Sequence, residues 1–147
     1  MKEAEKETAA AENNASSSDN LAKQIETAAA GLVYMSETDA KITPYIGWAT
    51  KTNTTAEILK QAGEPADAAI EEKDFNAFFA HLTEIQDWFG DDEKETAQKF
   101  VRLKEVLENN LRELKVYKIG KIELNIYAVG LDENDKLLGI KTKAVET

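Results

Sequence analysis

Three segments near the end of the chain, KVYKIG (115–120), KIELNIYAVG (121–130) and LLGIKTKAV (137–145), alternate apolar and polar residues and are separated only by Gly120 and the turn DENDK. Strands joined this tightly run antiparallel, because a parallel crossover needs a dozen or more residues. In the middle segment Ile122, Leu124 and Ile126 share one face, with Glu123, Asn125 and Tyr127 on the other. Such a sheet has to bury a face against something, and the preceding sequence offers helices.

The spacing of Leu21, Ile25, Ala28, Ala29 and Leu32 predicts an amphipathic helix, with Ser18 or Asp19 as its N-cap. VYMSETDAKITPY then reads as a loop kept non-helical by Pro44, and YIGWAT as a short strand. In TNTTAEILKQAGEP a short helix is capped by Thr54 or Thr55 and closed by Gly63 and Pro65. After a turn or short strand, Asp74 caps a helix with Phe75, Phe78, Phe79 and Leu82 on or near its inner face. The longest periodic run, about Asp91 to Leu111, carries the stripe Ala97, Phe100, Val101, Leu103, Val106, Leu107 and Leu111. Helices against an antiparallel sheet make either an α/β/α sandwich or a two-layer α+β fold.

A chain of 147 residues has room for one domain with a real core. It has no Cys, which removes disulfides, thiolate metal sites and a Cys nucleophile together. A net charge of −10 argues against a nucleic-acid binder and for a basic protein partner. No apolar run is long enough to span a bilayer, so the reading is of a soluble chain, expected to be cytoplasmic and monomeric. Residues 1–19 have hardly any large apolar residue and read as a disordered polar tail or tether, with residues 20–147 as the domain. A leader of this kind also suits a spacer after a removed signal or lipid anchor, which would make the location periplasmic or surface-tethered.

Enzyme signatures are missing: there is no GxSxG, no Gly-rich phosphate loop and no HExxH. His81, the only histidine, has no partner motif and reads as a packed or surface residue. DDEKE (91–95) lacks the spaced ligands and Gly of a calcium loop and reads as the acidic first turn of a helix. No cofactor is called for. Trp88 is more informative, standing among Glu84, Asp87, Asp91, Asp92, Glu93 and Glu95. Either it is a core residue, or it is an exposed contact residue ringed by steering charge. The terminal IKTKAVET ends a strand on Glu146 and Thr147, an acid and a hydroxyl that offer hard oxygen donors on an ordered tip.

GLVYMSETD, DFNAFF, QDWFGDDEKETAQKFVRLKEVLENNL, KVYKIGKIELNIYAVG and GIKTKAVET occur in one order, and together they resemble the nuclease A inhibitor (NuiA-like) family from about Leu21 to Thr147. The resemblance implies an α/β/α sandwich with a PR-1-like topology and a mainly antiparallel central sheet. It also implies a protein inhibitor, not an enzyme, that blocks a Mg²⁺-dependent, sugar-non-specific endonuclease in a 1:1 complex. Carried onto this chain, the partner-binding residues are Glu37, Gln86, Asp87, Trp88, Glu146 and Thr147. Thr147 is the one that reaches the nuclease's Mg²⁺, with no metal site of the chain's own. In such a complex the acidic surface takes the path of DNA phosphates across a basic cleft. The alternative is an acidic protein-binding module of the same fold with a different basic partner.

Overall fold

The computed structural model describes the backbone from Ala9 to Glu146 and the side chains from Ser18 onward. Its centre is a five-stranded antiparallel sheet built from β3 (Thr43–Ala49), β4 (Ile70–Lys73), β5 (Arg112–Gly120), β6 (Glu123–Leu131) and β7 (Lys136–Val145). The spatial order is β3-β7-β6-β5-β4, so the three segments that alternate in sequence form the middle of the sheet and the two shorter strands form its edges. A separate hairpin pairs β1 (Val33–Met35) with β2 (Asp39–Lys41).

The helices among the described residues are α1 (Ala9–Ala29), α2 (Thr55–Gln61), α3 (Phe75–Thr83) and α4 (Asp91–Asn110). Three of them cover one face. Leu21 and Ile25 of α1, Phe75 and Phe79 of α3, and Phe100, Leu103 and Leu107 of α4 pack on Leu124, Ile126, Ala128, Leu138 and Ile140. The other face holds a second core, in which Ile58 and Leu59 of α2 lie on Tyr117, Ile119, Tyr127, Val129, Leu131 and Leu137. Strand alternation sends the odd-numbered residues of β6 to that side, so Tyr127 is buried there. With two covered faces the fold is the α/β/α sandwich, and the two-layer alternative falls away.

The helix ends follow local chemistry. Thr54 caps α2 by accepting the Glu57 N–H at its hydroxyl (3.2 Å), and Asp74 caps α3 by accepting the Ala77 N–H (2.9 Å). Glu93 accepts the Gly90 N–H (3.0 Å), which with Asp91 and Asp92 makes the DDEKE turn a favourable start to α4.

Three expectations need correction. The α1 backbone is already helical at Ala9 and runs through NNASSS, so neither Ser18 nor Asp19 is an N-cap. Asn and Ser cost only about 0.5–0.7 kcal/mol each within a helix, and extending a helix already anchored by Leu21 and Ile25 avoids the cost of nucleation. What was expected of the first residues as a tail falls partly on 1–8, outside the described residues. Ser18 is instead buried, donating to Asp132 Oδ2 (2.6 Å) and so tying α1 to the β6–β7 turn. The segment after α1 is not a plain loop, because it forms the β1–β2 hairpin and β3 already begins at Thr43, with Pro44 on an edge strand where a missing N–H is tolerated. Ile122, finally, lies in the β5–β6 turn and is exposed.

Two polar side chains stitch the second face. Asn53, buried, donates to the carbonyls of Glu113 (2.7 Å) and Val129 (3.0 Å), while its own oxygens accept from Lys115 Nζ and the Tyr117 hydroxyl. Gln61 bridges α2 to β3 where that strand breaks register between Ile46 and Ala49. Its amide accepts the Trp48 N–H (3.0 Å) and donates to the Trp48 carbonyl (3.2 Å), and Glu57 holds the amide in place (2.9 Å). A Cβ on Gly47 would collide with that same Gln61 oxygen, so the contact requires glycine.

Candidate partner-binding site

The hairpin turn Ser36–Glu37–Thr38 is docked on the end of β7. Val145 donates its N–H to the Ser36 hydroxyl oxygen (3.0 Å) and accepts the Glu37 N–H at its carbonyl (3.3 Å). The Ser36 hydroxyl in turn donates to the Thr38 carbonyl (2.8 Å), which closes the turn. Farther down the strand the Thr142 hydroxyl donates to the Lys41 carbonyl (3.0 Å). The hairpin therefore leans along β7 over its whole length, although the two share no ladder.

From the opposite side the β5–β6 turn holds the same tip. Glu146 donates its N–H to the Ile122 carbonyl (2.9 Å), and its carboxylate pairs with Lys118 of β5 (Nζ to Oε2 3.1 Å). Lys118 is mostly enclosed, its side chain 15% exposed against 44% for Glu146. Tyr34 stands close to both charges: burial raises its phenol pKa, the Lys118 ammonium partly offsets that, and the Glu146 carboxylate adds to it.

Tyr34 also joins the hairpin to α3 by stacking on Phe78, with ring centroids 5.6 Å apart. Between these elements lies a groove of about 480 Å³, lined by residues that include Tyr34, Met35, Phe78, His81, Leu82 and Lys118. His81 is exposed at this groove, as the surface reading expects. Three residues beyond the end of α3 the chain turns, the Phe89 N–H bonding to the Gln86 carbonyl (3.0 Å). Trp88 projects from that turn, 74% exposed, its ring edge-on to Phe89 at 4.7 Å. It is a surface residue and not part of the core. Ile85, Met35 and Ile122 are exposed as well.

Over residues 19–147 the chain matches the sequence model of the nuclease A inhibitor-like proteins. It belongs to the NuiA family. No curated protein matches it.

In this NuiA-family chain the fold brings the expected residues together unequally. Glu37 and Glu146 lie side by side, Glu37 in the hairpin turn bonded to Val145 and Glu146 directly following Val145 in the chain. Gln86, Asp87 and Trp88 are linked to them through α3. Thr147 lies outside the described residues. The carboxylate of Glu146, expected to face a partner, is engaged by Lys118. Ser36 and Lys118 were not singled out from sequence. For Ser36 a signal existed, since a hydroxyl two residues before Thr38 suits a side-chain-closed turn, whereas Lys118 looks like any polar residue of an alternating strand. Among the described residues no group of acids or histidine is arranged to hold a metal ion, and no helix is long and apolar enough to cross a membrane.

Proposed function

We propose that this chain inhibits a Mg²⁺-dependent, sugar-non-specific endonuclease by filling its active-site cleft. Family membership supports the inhibitor role, and one observation supports the mechanism: the Glu37 turn is hydrogen-bonded to Val145, so an acidic hairpin tip and the end of β7 present themselves side by side. A nuclease of this type offers a basic cleft and a Mg²⁺ with coordination sites open to phosphate oxygens. The oxygens of Thr147 take those sites, and Glu37 pairs with a cleft Arg or Lys. Asp87 and its acidic neighbours lie along the path that DNA phosphates would follow, which chiefly accelerates association, while Trp88 loses its water on contact and slows release. Glu146, whose carboxylate pairs with Lys118 yet stays 44% exposed, completes the partner-facing tip.

The test is inhibition of a purified Mg²⁺-dependent non-specific endonuclease by the full chain and by a variant lacking Thr147. Deletion is expected to raise Kd at least tenfold, about 1.4 kcal/mol, with the thermal midpoint unchanged. Equal inhibition by both proteins would reject metal capping.

A further inference from the structure

The last residues of a strand ordinarily fray, since they have a neighbour on one side at most. Here the end of β7 is gripped on both sides by groups distant in sequence. Ser36 and the Glu37 N–H occupy both backbone groups of Val145 on the hairpin side, and Ile122 and Lys118 hold the backbone and the carboxylate of Glu146 on the other. Few of these contacts touch the core. Ser36 lies in a surface turn, and the Lys118 ammonium, on the inner strand β5, pairs with a side chain that is nearly half exposed. Their common effect is to hold Val145 and Glu146 in place.

We propose that Ser36 and Lys118 are positioning residues: by holding Val145 and Glu146 they anchor the point from which Thr147 binds the partner. The proposal rests on the inhibitor reading above. With Glu146 already held, less freedom is lost when the chain end binds, so the clamp contributes affinity without touching the nuclease. Lys118 is the sharper probe. Replacing it removes the only ion pair of Glu146 among the described residues, and it faces Tyr34 and the groove and not the outer surface of the hairpin.

The experiment measures Kd for the same endonuclease with Lys118→Met, Lys118→Arg and Ser36→Ala, each in the full chain and in the chain lacking Thr147. ¹⁵N relaxation at Glu146 in the free proteins runs in parallel. Lys118→Met and Ser36→Ala are expected to weaken inhibition about tenfold and to lower the order of Glu146, with Lys118→Arg close to wild type. In the background lacking Thr147 the same substitutions are expected to change Kd less than twofold, because nothing is left to aim. Full-strength inhibition by Lys118→Met, or an equal loss with and without Thr147, would overturn the proposal. Those outcomes differ from a failure of the inhibitor reading itself, in which the full chain leaves the endonuclease active, and from a failure of metal capping, in which deleting Thr147 alone has no effect.

Discussion

Replacing Trp88 with Ala separates binding from folding more cleanly than any other change to this face. Trp88 is 74% exposed. A Trp side chain buries on the order of 200 Å², so roughly 150 Å² remains for a partner to cover. At about 25 cal/mol per Å² that corresponds to about 4 kcal/mol as an upper bound, from which ordering the side chain takes about 1 kcal/mol. The expected loss is therefore about 2–3 kcal/mol, a rise in Kd of roughly 30- to 150-fold. Folding should hardly register the change, since the edge-on contact with Phe89 is the ring contact that disappears and is worth about 1 kcal/mol. Stopped-flow association and dissociation with the endonuclease, beside urea unfolding of the free protein, is the assay. Most of the effect should fall on dissociation, while added salt should act mainly on association. A Kd within threefold of wild type for a folded variant would refute the assignment of Trp88 as an anchor.

Two further predictions concern stability. Asn53→Ala leaves the carbonyl of fully buried Val129 without its donor and exposes that of Glu113 to water, a cost of about 2–4 kcal/mol in urea unfolding. Asn53 bonds to β6 six residues beyond Glu123, roughly 20 Å along the strand, so inhibition at temperatures well below the midpoint should be unaffected. The tyrosines predict alkaline unfolding. Burial raises the phenol pKa of Tyr34, Tyr117 and Tyr127 and pushes Tyr45 from 10.0 up to about 12. The folded state therefore keeps protons that the unfolded chain releases, and this share of the stability is complete below pH 10 and declines progressively between pH 10 and about 12. Urea midpoints against pH, followed together with phenolate absorbance, check the sign; a midpoint that rises over this interval would contradict it.

The middle of the sheet was legible because strand alternation is a local signal, and β5, β6 and β7 lie where the pattern places them. The caps were nearly as plain, Asp74 outright and Thr54 as one of two neighbouring threonines, each being a side-chain oxygen three residues from the N–H that donates to it. Hidden features depend on residues far apart. The β1–β2 hairpin consists of two three-residue strands, too short to alternate visibly, and it owes its place to Ser36 and to Thr142, which lies about a hundred positions away. The start of α1 was misread because polar residues there weaken helix propensity without preventing a helix that its neighbours anchor. For Trp88 the sequence left two environments open, since an aromatic among acids fits either a core turn or a contact surface. Its exposure in the turn after α3, outside the core that α3 and α4 share, separates the two.

The bridge from Gln61 to Trp48 reaches beyond holding α2 in place. An outer strand bearing exposed Ile46 and Trp48 is the kind of border on which identical chains can stack into growing ribbons. At Trp48 both hydrogen-bonding groups are already taken by a side-chain amide that stands in for a visiting backbone. Glu71, Glu72 and Lys73 protect the far border with charge instead. The chain can thus be concentrated without templating its own polymerisation.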